Sequence, residues 1–373
     1  IFRREFNVQL DLIDNLSLIF GPGNSPDPFT GSQSTQLGQN KTLLDSVLGN
    51  SAYDIGHVFG ASEGGGLATL RSLGNNSTKA QGITESTSPA SSSFVSTLLH
   101  EFGHQFGADH SFNGVQGLCV QRNDTTAYEP GSGTTIMSYA GICPTTFAHP
   151  PAGDNIQNDS DHYFHAGSLD QIIAHLESID MSGVGTKDLA VNNVPTVTAS
   201  ADFTIPAGTS FFVTATGSDA DNDTLLYTVE QLDLGPAQTI DPSAGAAATA
   251  DNGSSPLFRS FEPAEADNSG TFTRVFPQLS DILSGTPTKG EQLPTTNRAL
   301  NFRTTARDQV GGVNGDDVLL TVVDTGTPFA ISSFNSSTTL TGASSQSLTW
   351  DVGGTDSNGI NVSMVDLRMS LDG

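Results

Sequence analysis

The chain has 373 residues, room for two or three domains, and carries 40 Asp and Glu against 14 Lys and Arg, a formal net charge of −26. That balance argues against nucleic acid and anionic membrane surfaces as partners, since both are polyanions, and it makes calcium a natural counter-ion. No run of the sequence is long and apolar enough to span a bilayer.

Residues 1–4 read as the end of a helix. Phe6, Val8, Leu10 and Leu12 alternate with Asn7, Gln9 and Asp11, the pattern of a half-buried strand. Residues 21–31 are loop, and Leu43, Leu44, Val47 and Leu48 predict a helix over 41–48. Residues 53–59 predict a strand. Residues 60–66 form a glycine-rich turn. A phosphate cradle is the alternative there and is disfavoured, because no Gly-Lys-Ser/Thr follows and the glycines lack dinucleotide-binding spacing.

Phe94, Val95, Leu98 and Leu99 then predict a helix over 91–106. It runs through His100-Glu101-Phe102-Gly103-His104-Gln105-Phe106-Gly107-Ala108-Asp109-His110, which reads H-E-x-x-H-x-x-G-x-x-H. Positions i and i+4 share one helix face, so His100 and His104 can meet one ion. Gly107 tolerates positive φ, which ends the helix and brings His110 in from outside it. Three imidazoles with one position left open is the catalytic form of a zinc site. Glu101, beside a ligand but not one, is placed to take the proton of an attacking water. H-E-x-x-H alone also fits two core histidines on a buried helix; the glycine and third histidine at fixed offsets favour the metal.

All eight histidines lie between His57 and His175, and both cysteines, Cys119 and Cys143, fall in the same stretch. This separates a catalytic front from a non-catalytic back. A disulfide between the cysteines would close a loop of about two dozen residues and contribute about 3 kcal/mol; two buried thiols are the alternative. His57, His149, His162, His165 and His175 lack ligand spacing and stay outside the site, with His162 and His165 as a structural pair.

Thr134-Thr135-Ile136-Met137-Ser138-Tyr139 follows the zinc motif. Together the two motifs resemble the metzincin clan of zinc peptidases, whose second hallmark is a methionine turn. The stretch Ala127-Tyr128-Glu129-Pro130-Gly131-Ser132-Gly133, with Ala140-Gly141-Ile142-Cys143 beyond the turn, is most similar to the bacterial reprolysin-like (adamalysin-type) group. The resemblance covers about the first half of the chain. It implies an α/β zincin domain with Zn2+ on His100, His104 and His110, Glu101 as general base, and Met137 as an apolar floor under the histidines. It implies that Tyr139 either reaches the metal or packs under the cleft. It places the strand at 53–59 on the cleft rim, where extended substrate could pair with it. It also implies that the family's first strand and most of its first helix are missing from this sequence, so that the domain is truncated at its N-terminus.

Leu169, Ile172, Ile173, Leu176 and Ile179 predict a closing amphipathic helix. Residues 181–195 are linker. Short strands at 196–198, 211–215, 225–229, 300–304 and 318–322, separated by turn residues and with no helix evident, predict a β-sandwich of immunoglobulin or cadherin type over 196–326. Asp219-Ala220-Asp221-Asn222-Asp223 joins two of them; alternating carboxylates suit Ca2+, and a plain acidic turn is the alternative. Residues 327–373, with strands expected at 347–352 and 362–369, read as a partial second sandwich with Trp350 in its core.

The expected protein is therefore an α/β metzincin-type domain over 1–180 followed by all-β modules. It would be a secreted or cell-surface bacterial zinc endopeptidase acting on protein or peptide, with cell-surface or polysaccharide contact open to the β modules. The rival is an adhesion protein on an inactive metzincin-like scaffold, which loss of Glu101 or a ligand would favour; neither is lost.

Overall fold

Alternating apolar residues make a strand only where a partner edge is available, and residues 6–12 have none. The computed structural model, which describes residues 1–21, 26–62, 64–143, 152–179, 184–185, 192–334, 339 and 344–366, shows a helix α1 at Phe2–Phe6 that is closed by Asn7 in the left-handed conformation. The expected strand is then extended coil, with Leu12 92% exposed. Asn7 is itself pinned, since a Cβ on Gly311 would fall 2.6 Å from its Cα.

Helix α2, Gln33–Val47, starts eight residues earlier than its apolar spacing indicates and buries Leu37 and Leu44. The strand expected at 53–59 shortens to β1, Val58–Gly60. The glycine-rich turn is partly strand, β2, Gly65–Ala68, and β3 is Gly82–Glu85. The sheet order is β1-β3-β2, with β1 parallel and β2 antiparallel to β3.

Helix α3, Ser92–Gln105, begins as predicted: the Ser91 hydroxyl accepts from the Phe94 amide at 3.2 Å. Gly107 ends it at φ +113. Helix α4 is Ala166–Ser178, capped by the His165 ring. Phe2, Phe106, Ile136, Met137, Phe164 and Ile172 form the core between α3 and α4.

The second half is all-β. Its strands are β4 Thr196–Ala199, β5 Phe203–Pro206, β6 Phe211–Ser218 and β7 Leu226–Gln231, then β8 Ala264–Glu265, β9 Thr271–Phe276, β10 Arg298–Arg307 and β11 Val313–Val323. They form a five-stranded sheet β5-β11-β10-β7-β8 and a three-stranded sheet β4-β6-β9. Phe211, Val213 and Phe276 from one sheet meet Val229, Phe302 and Leu320 from the other, the layered core of a sandwich. Short helices α5, Ala246–Thr249, and α6, Leu279–Ser284, lie in the loops, where the turn-rich sequence hides them. Most of the expected linker falls outside the described residues.

Beyond the sandwich, β12, Ala330–Ile331, pairs with β13, Trp350–Asp351. Trp350 is 37% exposed, so it is not the core residue expected of it; a two-residue ladder offers nothing to bury it under. Residues 362–366 are not strand, and 367–369 fall outside the described residues.

Candidate metal centre

His100 and His104 stand one turn apart on α3, and His110 enters from the loop after Gly107, as the motif requires. Each Nδ1 donates to a backbone carbonyl: His100 to Ile136 at 2.8 Å, His104 to Ala108 at 2.8 Å and His110 to Gln121 at 2.7 Å. Those bonds fix the tautomer, so all three Nε2 atoms carry lone pairs. One ring nitrogen from each histidine lies within 4.8 Å of the others. His104 Nε2 and His110 Nε2 are 3.2 Å apart. Two lone pairs at that separation repel, and two imidazoles on one tetrahedral zinc would stand about 3.3 Å apart. The donor set therefore fits zinc. Burial pushes all three imidazoles down, His104 to about 3, which favours the neutral form that binds a metal.

Glu101 is buried on the same turn, and burial pushes its carboxyl up to about 8. Its Oε2 has no hydrogen-bond partner among the described residues. Gly66 on β2 is the reason it fits: a Cβ there would fall 2.5 Å from Glu101 Oε1. The exposed edge of the sheet beside Glu101 is thus β2 and not residues 53–59, which correct to β1 on the far side of β3. The signal for Gly66 was the glycine run, whose reading as a plain turn missed its use as a close backbone approach.

Met137 is fully buried, with its sulfur against α3 at Gly103. Tyr139 places its ring 4.7 Å from that of His110 and 5.5 Å from that of His100, and its hydroxyl donates to Gln121 Oε1 at 3.2 Å. Burial pushes the phenol up to about 12. Cys119 and Cys143 form a disulfide, with Cα atoms 5.5 Å apart, behind Phe112 and Tyr139.

Sequence reasoning passed over Glu129. Its buried carboxylate accepts from Ser111 Oγ at 2.5 Å, Thr135 Oγ1 at 2.6 Å and the Thr134 amide at 2.8 Å. It ties the residue after His110 to the start of the methionine turn. The sequence marks it only as part of the resemblance stretch.

The histidines left out of the site are placed elsewhere. His57 bridges Gln105 and Thr84 and stacks on Phe102, and burial pushes it down to about 4. His162 bonds Ser96 while His165 caps α4, so they are not the structural pair expected. His149 lies outside the described residues. In the acidic turn, Asp219 and Asp223 converge with Asp308, which sequence reasoning did not include. Asp221 instead accepts from Asn193 and is corrected out of that group.

Residues 1–162 match the sequence profile of the metallo-peptidase family M12B, reprolysin-like. No curated protein sequence matches the chain. Among solved structures, the chain aligns to the PKD domain of an M14-like peptidase from Thermoplasmatales archaeon SCGC AB-540-F20, at 15% identity and a TM-score of 0.17, over 36% of this chain and 98% of that one.

Proposed function

Starting from an N-terminal region that belongs to the reprolysin-like M12B metallopeptidases, we propose that the protein is a zinc-dependent endopeptidase. The observation that carries this reading is the set of three Nδ1-anchored histidines next to the unpartnered Oε2 of Glu101. An adhesion protein on a dead scaffold has no need of a buried carboxylate held without a partner, which costs stability.

Zinc on His100, His104 and His110 would supply Lewis acidity and bring the pKa of a water to about 7. A cation on the three histidines would favour the ionised form of Glu101 against its burial, so that its carboxylate takes the proton of the attacking water and returns it to the leaving nitrogen. Extended substrate adds to the edge of β2 away from β3, which pairs with no other strand among the described residues and has Glu101 adjacent. Tyr139 can release Gln121 and donate a hydrogen bond from its neutral hydroxyl to the developing oxyanion. Met137 and Gly103 keep the floor apolar and dry. Among the described residues no helix is long and apolar enough to cross a membrane. The disulfide supports an oxidising, extracellular setting. Zinc is the one ion this reading requires; the acidic turn has no part in it.

Incubation of the purified chain with a denatured protein tests the reading. Cleavage that a chelator abolishes and zinc restores is expected. A zinc-loaded, folded chain that cleaves nothing would return the adhesion reading.

A further inference from the structure

His110 is the ligand that α3 does not hold. Its orientation depends on the loop 113–122, whose Gln121 carbonyl accepts its Nδ1 proton. That loop is bonded at both ends to the β-sandwich. At the near end, Asn113 Nδ2 donates to Pro236 O at 3.1 Å, and the Gln238 amide donates to Asn113 O at 3.0 Å. At the far end, Arg122 Nη2 donates to Gly235 O at 3.0 Å.

Asp154, which is fully buried, joins the two halves with a single carboxylate. Its Oδ2 accepts from the loop amides of Val115 at 2.7 Å and Gln116 at 3.0 Å. Its Oδ1 accepts from Thr239 Oγ1 at 2.5 Å and the Ile240 amide at 3.0 Å, both in the sandwich. Four donors on one buried carboxylate leave it no freedom to turn. Ile240 also presses on Gly131, where a Cβ would fall 2.4 Å from its Cδ1. Gly131 belongs to the stretch that leads into the methionine turn. Nearby, Thr134 Oγ1 donates to Ser260 O of the sandwich at 3.1 Å.

We propose that residues 235–241 of the β-sandwich are a positioning element for His110, acting through the loop 113–122, so that the sandwich is part of the scaffold of the metal centre. A module attached only by a linker would place no constraint on the loop. Here the Asn113 side chain and carbonyl, the Gln116 and Arg122 side chains and the loop's Asp154 anchor all depend on it. The proposal rests on the three-histidine reading and extends it to a second domain.

The test uses the full chain with Thr239→Val, which keeps the shape and removes one donor to Asp154, and with Ile240→Ala. Val213→Ala, in the core of the sandwich, serves as a comparison of similar lost stability. Hydrogen exchange is followed by mass spectrometry in peptides covering 109–123 and 129–140, with and without zinc, and zinc release to a chelator is timed. Both interface variants should speed exchange in those peptides several-fold and zinc release about tenfold, while Val213→Ala changes neither. Thr239→Val alone decides the matter if Ile240→Ala does not fold. Exchange that rises only within 235–241, or equally in Val213→Ala, would overturn the proposal. Failure of the wild-type chain to hold zinc would instead overturn the peptidase reading, and the zinc-free exchange pattern would still judge the coupling.

Discussion

The Met137 sulfur stands 2.4 Å from where a Cβ on Gly103 would lie. Gly103 is the last of the three residues between His100 and His104 on α3, on the helix face that rests on the methionine turn. Its missing side chain is what lets the turn approach the helix. The contact also explains why a helix-weakening residue sits in the middle of α3, at a cost of about 1 kcal/mol relative to alanine.

Gly103→Ala should therefore overpack the floor despite its better helix propensity. The Met137 side chain can shift, so the expected net loss is about 1–3 kcal/mol. Urea unfolding at constant m-value measures it. A variant more stable than wild type would show that the turn yields freely.

Glu101→Gln separates metal binding from proton transfer. The three ligands keep their carbonyl anchors, so zinc content by elemental analysis should remain near one per chain. Hydrolysis should fall by roughly 10² to 10⁴, the range expected for loss of a general base. His104→Ala should instead lose most of the zinc. Wild-type turnover in Glu101→Gln would require another base.

The disulfide gives a further prediction. Its sequence separation is 24 residues, and it ties the 3-10 turn that carries Gln121 to the end of the methionine-turn segment. Replacing both cysteines by serine should cost about 3 kcal/mol by the loop-entropy account. It should also weaken zinc retention, because the Gln121 carbonyl that holds His110 is less constrained. Unchanged thermal unfolding in the double variant would assign the cross-link no role in stability.

What the sequence revealed of the site was local. His100, Glu101 and His104 are one helix turn, and Gly107 and His110 follow within six residues, so spacing alone brings them together. The strands of the sandwich were readable because alternation faces a real core. The rest depends on partners far along the chain. Residues 6–12 alternate like a strand, yet nothing pairs with them. Gly66 matters only because Glu101 arrives beside it. Glu129 and Asp154 are ordinary acids in the sequence, and their four or more donors come from segments up to 86 residues away. Buried polar junctions leave no periodicity to find.

One such junction predicts a pH dependence of stability. Glu5 on α1 is buried beside Arg307, which stacks near Tyr163 and donates to the Phe164 carbonyl at 2.9 Å. Burial is the dominant influence and raises the Glu5 carboxyl to about 7, while Arg307 pulls it partly back. The folded pKa thus lies above the ordinary value of 4.5. A carboxyl shifted that way favours the folded state while it is protonated. Its contribution is fully present below the ordinary value and is lost as pH rises through 7. Between pH 5 and pH 8 the wild-type chain should lose on the order of 2 kcal/mol through this group. Glu291 is raised to about 7 as well and pushes in the same direction, so the wild-type slope alone does not isolate Glu5. Glu5→Gln removes the titration and keeps a neutral acceptor for the Phe164 amide. The difference between the two unfolding curves should therefore shrink or reverse in favour of Glu5→Gln as pH rises from 5 to 8. A difference that is constant across that range would mean that Arg307 holds Glu5 ionised in the folded chain throughout.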